Sequence, residues 1–531
     1  MLRVLVSCCC FAAVVLGWGG FVVPDAGART LHTVLQDDDL ALFSPPRLPG
    51  FIQELRWLGV DELRVSAEWK LEVPNPDLRR RPAGFRPSDP GSYTGLGMRA
   101  LDSAVRAAVA SGISVLIDPA FSAPLWATSD RAPAHPSASD WFNSNIDVRE
   151  AAGWEQMLAH RYNGSYTPAG ERTPLPRVAT FTLWNEPNNA SFLKPQWQGA
   201  VPVSADWYRS LVRLAYPAIK RVNPQATVLI GNTSFAGGER QMSSGGVAPL
   251  AFIRRLACVD AQLRPLREPA CAAFSAIPAD GFAHHPYERD AAPWLPSGPK
   301  EAGWAQMGDL PRLQALLDEL VATHRLAPGA GDLWLTEQGY ESNAELTDRP
   351  WTEAQQAQLN AYSEYVAWRD PHVLAFSQFL LRDTRTAATL ALRTRTHKPT
   401  ANLSGTWTTG LRREDGQAKP ALWMFRSPVV ARIIPTTSSP FATGLRRLLG
   451  GSAPRILEVW GRARPLRSAG TVEVQLSPVP GSEFRTVTAV PTDANGIFDV
   501  SVAVPAEPST RVRFRWRSSD GAWQTSPSTV A

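Results

Sequence analysis

The feature that most limits the fold is an alternation running from Leu31 to Phe379, in which short apolar runs of strand character are separated by stretches with helical spacing of apolar residues. The strand-like runs are Leu31 to Leu42, Glu62 to Ser66, Ile113 to Asp118, the apolar start of VATFTLWNEPNN at Val178, Thr227 to Ile230, Gly281 to Tyr287, Leu333 to Leu335 and Val373 to Phe379. Phe51 to Leu58, Leu101 to Ser111, Glu150 to Tyr162, Trp207 to Val222, Ala251 to Leu256, Leu310 to His324 and Thr352 to Trp368 read as helices. Strands alternating with helices build a parallel sheet, and eight strands in about 400 residues is the count of an α/β (β/α)8 TIM barrel. A doubly wound open sheet is the competing layout, but no G-x-G-x-x-G turn opens any of the helices.

A chain of 531 residues exceeds one compact core, so a smaller second domain is expected. The pattern changes after Lys419-Pro420. Residues 428–452, with two prolines around Thr-Thr-Ser-Ser and a Gly-Gly pair, read as a linker. Residues 453–531 alternate apolar and polar positions, as in Thr471 to Leu476 and Arg511 to Trp516, with the turn Asp493-Ala494-Asn495-Gly496 between two runs. This predicts a small Ig-like β-sandwich, serving either packing or carbohydrate attachment. The barrel is then expected over 29–427.

Residues 1–28 read as an export signal: Arg3 gives a basic start, Val4 to Val23 is nearly all apolar, and Ala26-Gly27-Ala28 is a small-residue cleavage site. The protein is therefore expected to be secreted or extracellular. The alternative is an uncleaved membrane anchor with cell-envelope association, since roughly 20 apolar residues can span a bilayer. Cys258 and Cys271 are the cysteines outside the signal. In an oxidising compartment they would close one disulfide loop, contributing ~3 kcal/mol in the loop-entropy model, with free thiols as the alternative. No metal-ligand spacing is present. The net charge of +5 arises from scattered arginines, so nucleic-acid binding is not expected.

Two of the strands end in an acid. Trp184-Asn185-Glu186-Pro187 closes the fourth and Thr336-Glu337 the seventh, and two rim carboxylates together are what glycosidic cleavage requires. These motifs resemble the clan A retaining glycoside hydrolases, in particular secreted bacterial cellulase-family glycosyl hydrolases, over Val34 to Arg426. The resemblance implies a glycan substrate; that mechanism requires no cofactor and no metal, and a monomer is expected. It makes Glu186 the acid/base and Glu337 the nucleophile. Asn185 would bond the sugar 2-hydroxyl, Arg64 would sit beside Glu337, Tyr287 would donate to it, and His285 would line the wall. Trp126 is the candidate sugar-stacking ring among Trp69, Trp126, Trp141 and Trp184. Members of that family often carry a tryptophan at the end of the eighth strand; this chain has Phe376-Ser377-Gln378-Phe379, then Arg382 and Asp383, so Gln378 or Arg382 becomes a candidate sugar ligand. A non-catalytic carbohydrate-binding barrel is the second reading, and a serine esterase ranks last because no G-x-S-x-G lies between a strand and a helix.

Overall fold

The computed structural model describes residues 31–120, 122–128, 143–240, 245–288, 290–342, 351–384, 407–434, 455–466, 468–479, 481–504 and 510–531. The expected signal at 1–28 and Trp141 lie outside them. The chain divides into two compact units, Arg29–Arg426 and another containing Ser427–Ala531. Among the described residues no helix is long and apolar enough to cross a membrane.

The first unit is a closed eight-stranded barrel in sequential order. Its strands are β1 (His32–Gln36), β2 (Glu62–Glu68), β3 (Ser114–Ala120), β4 (Thr180–Thr182), β5 (Thr227–Ser234), β6 (Gly281–His285), β7 (Leu333–Leu335) and β8 (Val373–Phe379). All pairings are parallel, and β1 closes on β8 through Leu35↔Gln378 and Gln36↔Phe379. The TIM barrel expected from the alternation is thus the observed fold. The helices are α1 (Leu48–Leu58), α2 (Trp69–Glu72), α3 (Leu96–Ala110), α4 (Val148–Arg161), α5 (Val203–Val222), α6 (Pro249–Leu256), α7 (Leu310–Ala322), α8 (Glu353–Arg369) and α9 (Pro420–Arg426). Local chemistry sets their ends. Gly59, with φ 76°, stops α1; the Asp147 carboxylate accepts from the amides of Arg149 and Glu150 to start α4; Thr352 and Gln355 cap α8 reciprocally. The first strand is shorter than expected, because Asp39–Phe43 coils into a helical turn held by the Asp37 carboxylate on the Leu40 amide.

Paired residues on neighbouring parallel strands point to the same side of the sheet, so the register identifies the barrel's interior. Leu116, Leu229 and Ala283 pack together with Trp334 against them, filling its lower part. Arg64 pairs with Leu116, and Asp118 lies two residues above Leu116 on the same face. This layer of charge above a greasy plug faces the C-terminal ends of the strands, where barrel enzymes mount their chemistry.

The second unit holds two antiparallel sheets, of strand order β13-β10-β9 and β12-β11-β14-β15, with β16 added beside β14. These strands are β9 (Val429–Ile434), β10 (Arg455–Arg462), β11 (Thr471–Ser477), β12 (Arg485–Pro491), β13 (Ile497–Val504), β14 (Arg511–Arg517), β15 (Trp523–Thr525) and β16 (Thr529–Val530). Phe498 on one sheet meets Phe514 on the other edge to face at 5.0 Å, as in a sandwich core. The linker expected at 428–452 needs correction at its start. Val429–Ile434 pairs with β10 from Val429↔Gly461 to Ile434↔Ile456. Its Val-Val and Ile-Ile pairs suit a pleated surface, and the prolines at 428 and 435 bound the strand on both sides. Residues 435–452 lie outside those described.

Several buried acids outside the rim carry a stability consequence. Burial raises Asp37 to about 7, Glu72 to about 8 and Glu288 to about 8. Each keeps its proton in the folded chain at pH values where the unfolded chain has lost it. The native state therefore binds more protons between about pH 4.5 and 8, and stability falls as pH rises through that window. Burial lowers His284 to about 3, which works in the opposite direction below about pH 6.5. With three groups against one, the melting temperature is expected to decline from about pH 5 to pH 8. Melting scans across this range check the sign; a midpoint that climbs steadily to pH 8 contradicts it.

Candidate active site

Two rim glutamates face each other across the barrel mouth. A carboxylate oxygen of Glu186, the Nδ1 of His285 and a carboxylate oxygen of Glu337 all lie within 4.8 Å of one another. Their side chains are nearly buried, with 10% and 12% of the Glu186 and Glu337 surfaces exposed.

Glu337 follows β7, and cationic and neutral donors converge on it. The Arg64 Nη1 lies 2.5 Å from its Oε1, and the Tyr287 hydroxyl donates to Oε2 at 2.9 Å. Burial works against its charged form, but His285, Arg64 and the two hydrogen bonds together outweigh it, holding this carboxyl below its ordinary range. Burial and the neighbouring Glu337 push the Tyr287 hydroxyl well up, so it keeps its proton and donates. Arg64 is wholly buried. It reaches the Asp118 Oδ2 at 2.8 Å, donates to the Asn185 Oδ1 at 3.2 Å and to the Gln36 Oε1, and its own charged form is favoured by Asp118 and Glu337 in spite of burial. One planar fork thus ties together the ends of four strands.

Glu186 sits in a different setting. Its Oε1 is 2.9 Å from the His285 Nδ1, and its Oε2 accepts from the Asn189 side-chain amide at 2.6 Å. The proton on this pair can be traced through Asn232. The Asn232 amide nitrogen donates to Asp118 and to the Trp184 carbonyl, both at 2.8 Å. Its oxygen must then accept, from the His285 Nε2 at 3.0 Å and the Thr336 hydroxyl at 3.1 Å. With Nε2 carrying hydrogen, a neutral His285 offers Nδ1 as an acceptor, so the 2.9 Å contact needs one proton shared between the ring and Glu186. The pair is neutral overall whichever partner holds it.

The backbone here is strained. Trp184 (φ 56°), Glu186 (φ 41°) and Asn232 (φ 47°) occupy the left-handed region that side-chain-bearing residues avoid. Such conformations persist where the surroundings over-determine them, and the Glu186 amide is pinned to the Asn232 carbonyl at 3.0 Å.

The structure thus brings Glu186, Glu337, Asn185, Arg64, His285 and Tyr287 together. It does not bring Gln378 with them. Phe379 shares a face with Gln36, which points into the mouth, so Gln378 points the other way, toward α8. There it accepts from Asn360 at 3.2 Å and donates to the carbonyls of Phe379 and Thr409. Asp383 is paired with the buried Lys419 at 2.6 Å. Trp126 is a core ring, 9% exposed, packed edge to face against Trp69 and Phe85, and Trp69 and Trp184 are wholly buried. Cys258 and Cys271 form a disulfide.

Sequence reasoning missed Asp118, Asn189, Asn232 and Trp407. Asp118 alone gave a signal, as a lone acid ending an apolar strand. Trp407 stacks on Tyr287 at 5.8 Å and meets Phe379 edge to face at 5.7 Å, with 39% of its surface exposed. It supplies an aromatic ring at the end of β8 from a later segment of the chain.

Glu186, His285 and Glu337 are also spaced as a small cation's ligands would be. The fit is poor, because Arg64 and Tyr287 already occupy both oxygens of Glu337 and the guanidinium would repel a cation.

The chain matches no protein-family model and no curated protein sequence. Among solved structures it is similar to a GH39 enzyme from Xanthomonas axonopodis pv. citri (TM-score 0.44, 13% identity, 96% of each chain covered). It is similar to a monomeric β-xylosidase from Caulobacter crescentus CB15 (TM-score 0.45, 13% identity, 95% of this chain and 98% of that one). It is also similar to a β-glucuronidase from Bacteroides uniformis (TM-score 0.41, 10% identity, 94% of this chain), of whose length it spans 46%.

Proposed function

We propose that the barrel is a retaining glycoside hydrolase acting on a β-linked or furanosidic glycan, in an exported protein. The observation that carries this reading is the pairing of two carboxylates within 4.8 Å in opposite electrostatic settings. Retaining enzymes hold their carboxyl groups about 5–5.5 Å apart, whereas inverting ones need about 6.5–9.5 Å to admit a water. The glutamate sharing a proton with His285 is placed to donate it, and the one held ionised by Arg64 is placed to attack.

In the first step the proton on the Glu186–His285 pair passes to the glycosidic oxygen through Glu186. A Glu337 oxygen bonds to the anomeric carbon as the bond to the leaving group breaks, giving a glycosyl ester. Glu186, now ionised, takes a proton from water, whose oxygen displaces Glu337 and restores both groups. The Asn185 oxygen is held by Arg64, so its amide nitrogen is the end that meets a sugar hydroxyl. Trp407 offers its exposed ring to a sugar's C–H face.

The test is hydrolysis of a panel of aryl glycosides and polysaccharides by the purified chain, with the anomeric configuration of the first-formed product followed by NMR. Turnover with retention is expected. An inverted product excludes the double displacement, and sugar binding with no turnover across the panel moves the assignment to a carbohydrate-binding scaffold.

A further inference from the structure

The outer face of β14 carries Arg511, Arg513, Arg515 and Arg517 at every second position, so the row extends about 20 Å at roughly 6.7 Å per step. The alternate residues Val512, Phe514 and Trp516 are buried in the sandwich core, which fixes the arginines outward. Each is held. Arg511 donates to the Ser528 hydroxyl at 2.6 Å; Arg513 donates to the Gln475 Oε1 at 2.8 Å and lies 4.0 Å from the centre of the Phe484 ring. Arg515 and Arg517 lie over Trp523 at 4.2 and 4.4 Å, and Arg517 also donates to the Gly521 carbonyl at 2.7 Å. Among the described residues Glu473, paired with Arg515 at 2.7 Å, is the one acid in an ion pair with the row. Burial and the adjacent Arg515 both disfavour the charged form of Arg513, so repulsion along the row awaits an anion.

Four guanidinium groups, ordered in advance and in excess over their acids, form a surface for a repeating polyanion rather than a single small one. We propose that this face binds a carboxylate-bearing polysaccharide, a uronate polymer, and holds the chain on it. The planar forks match carboxylates bidentately. Two of the guanidinium groups lie over the Trp523 ring, which stays 39% exposed. The choice of a glycan over other polyanions rests on the proposed glycosidase reading of the barrel; the binding test does not.

The test uses the full chain and immobilised polygalacturonate, with neutral dextran as the control. Binding is expected at about 50 mM salt and should weaken roughly tenfold by about 300 mM, as counterion screening requires. The double variant Arg513→Gln/Arg517→Gln should weaken it about tenfold, whereas Arg513→Lys/Arg517→Lys should recover part of the loss because charge returns without the fork. Circular dichroism verifies folding of both, and turnover of a small aryl glycoside should be the same in both as in the parent. A parent chain that ignores polygalacturonate at low salt, or a glutamine variant that binds it unchanged, overturns the proposal. So does preferential binding to polyphosphate or duplex DNA. Polygalacturonate binding in a chain without turnover would leave this proposal standing while removing the hydrolase reading.

Discussion

Replacing Glu337 with alanine should lower turnover of an aryl glycoside by about 10^4-fold or more while leaving the chain folded, because the group lost is the one proposed to bond to the anomeric carbon. The fold should survive because Arg64 keeps Asp118 at 2.8 Å, together with Gln36 and Asn185, after its fourth partner is removed. The melting temperature should shift by no more than about 5 °C. Azide offers a second measurement. It can enter the vacated space and bond to the anomeric carbon as the phenolate leaves, giving a glycosyl azide of inverted configuration. Parent-like turnover in the variant would remove Glu337 from the mechanism.

Arg64→Met acts on both stability and rate. Asp118 and Glu337 would be left as carboxylates facing an apolar side chain, and breaking a buried ion pair in this way costs about 3–5 kcal/mol. Glu337 would also lose the guanidinium that favours its ionised form against burial. Its folded value should rise, so the acid limb of kcat/KM moves to higher pH, and the carboxyl proposed as nucleophile is protonated where the parent's is charged. Arg64→Lys, which restores the charge but not the fork, should return the limb part of the way and recover less of the stability. Denaturant melts and pH–rate profiles of the three chains separate the two effects. A methionine variant with an unmoved acid limb would show that Arg64 does not set the state of Glu337.

The strand-end acids were legible because an apolar strand that stops at a charged residue exposes it at a rim whatever the details of the turn. Arg64, which lies inside β2, and Tyr287, two residues past β6, were named only through the family resemblance. Gln378 failed by one position: β8 contains polar residues on both faces, and only the pairing of Gln36 with Phe379 reveals which parity looks into the mouth. Asn232 could not be read because its role depends on a left-handed backbone, which glycine would have signalled and asparagine does not. Trp407 reaches the mouth from a segment that carries no strand or helix pattern. Trp126 was misjudged because proximity to a strand end says nothing about which way a ring turns, and this one turns into an aromatic cluster.

The wiring of Arg64 has a further result for what the mouth will hold. Two carboxylates, Asp118 and Glu337, share one guanidinium, and the Glu186–His285 pair adds no charge. The floor of the site therefore sets more carboxylates than guanidinium groups in surroundings that screen them poorly. Such a site discriminates by ligand charge before shape. A sugar mimic with a protonated ring nitrogen should compete far better than its neutral isostere, and inhibition constants for the two, compared in the parent and in Arg64→Lys, would measure that preference.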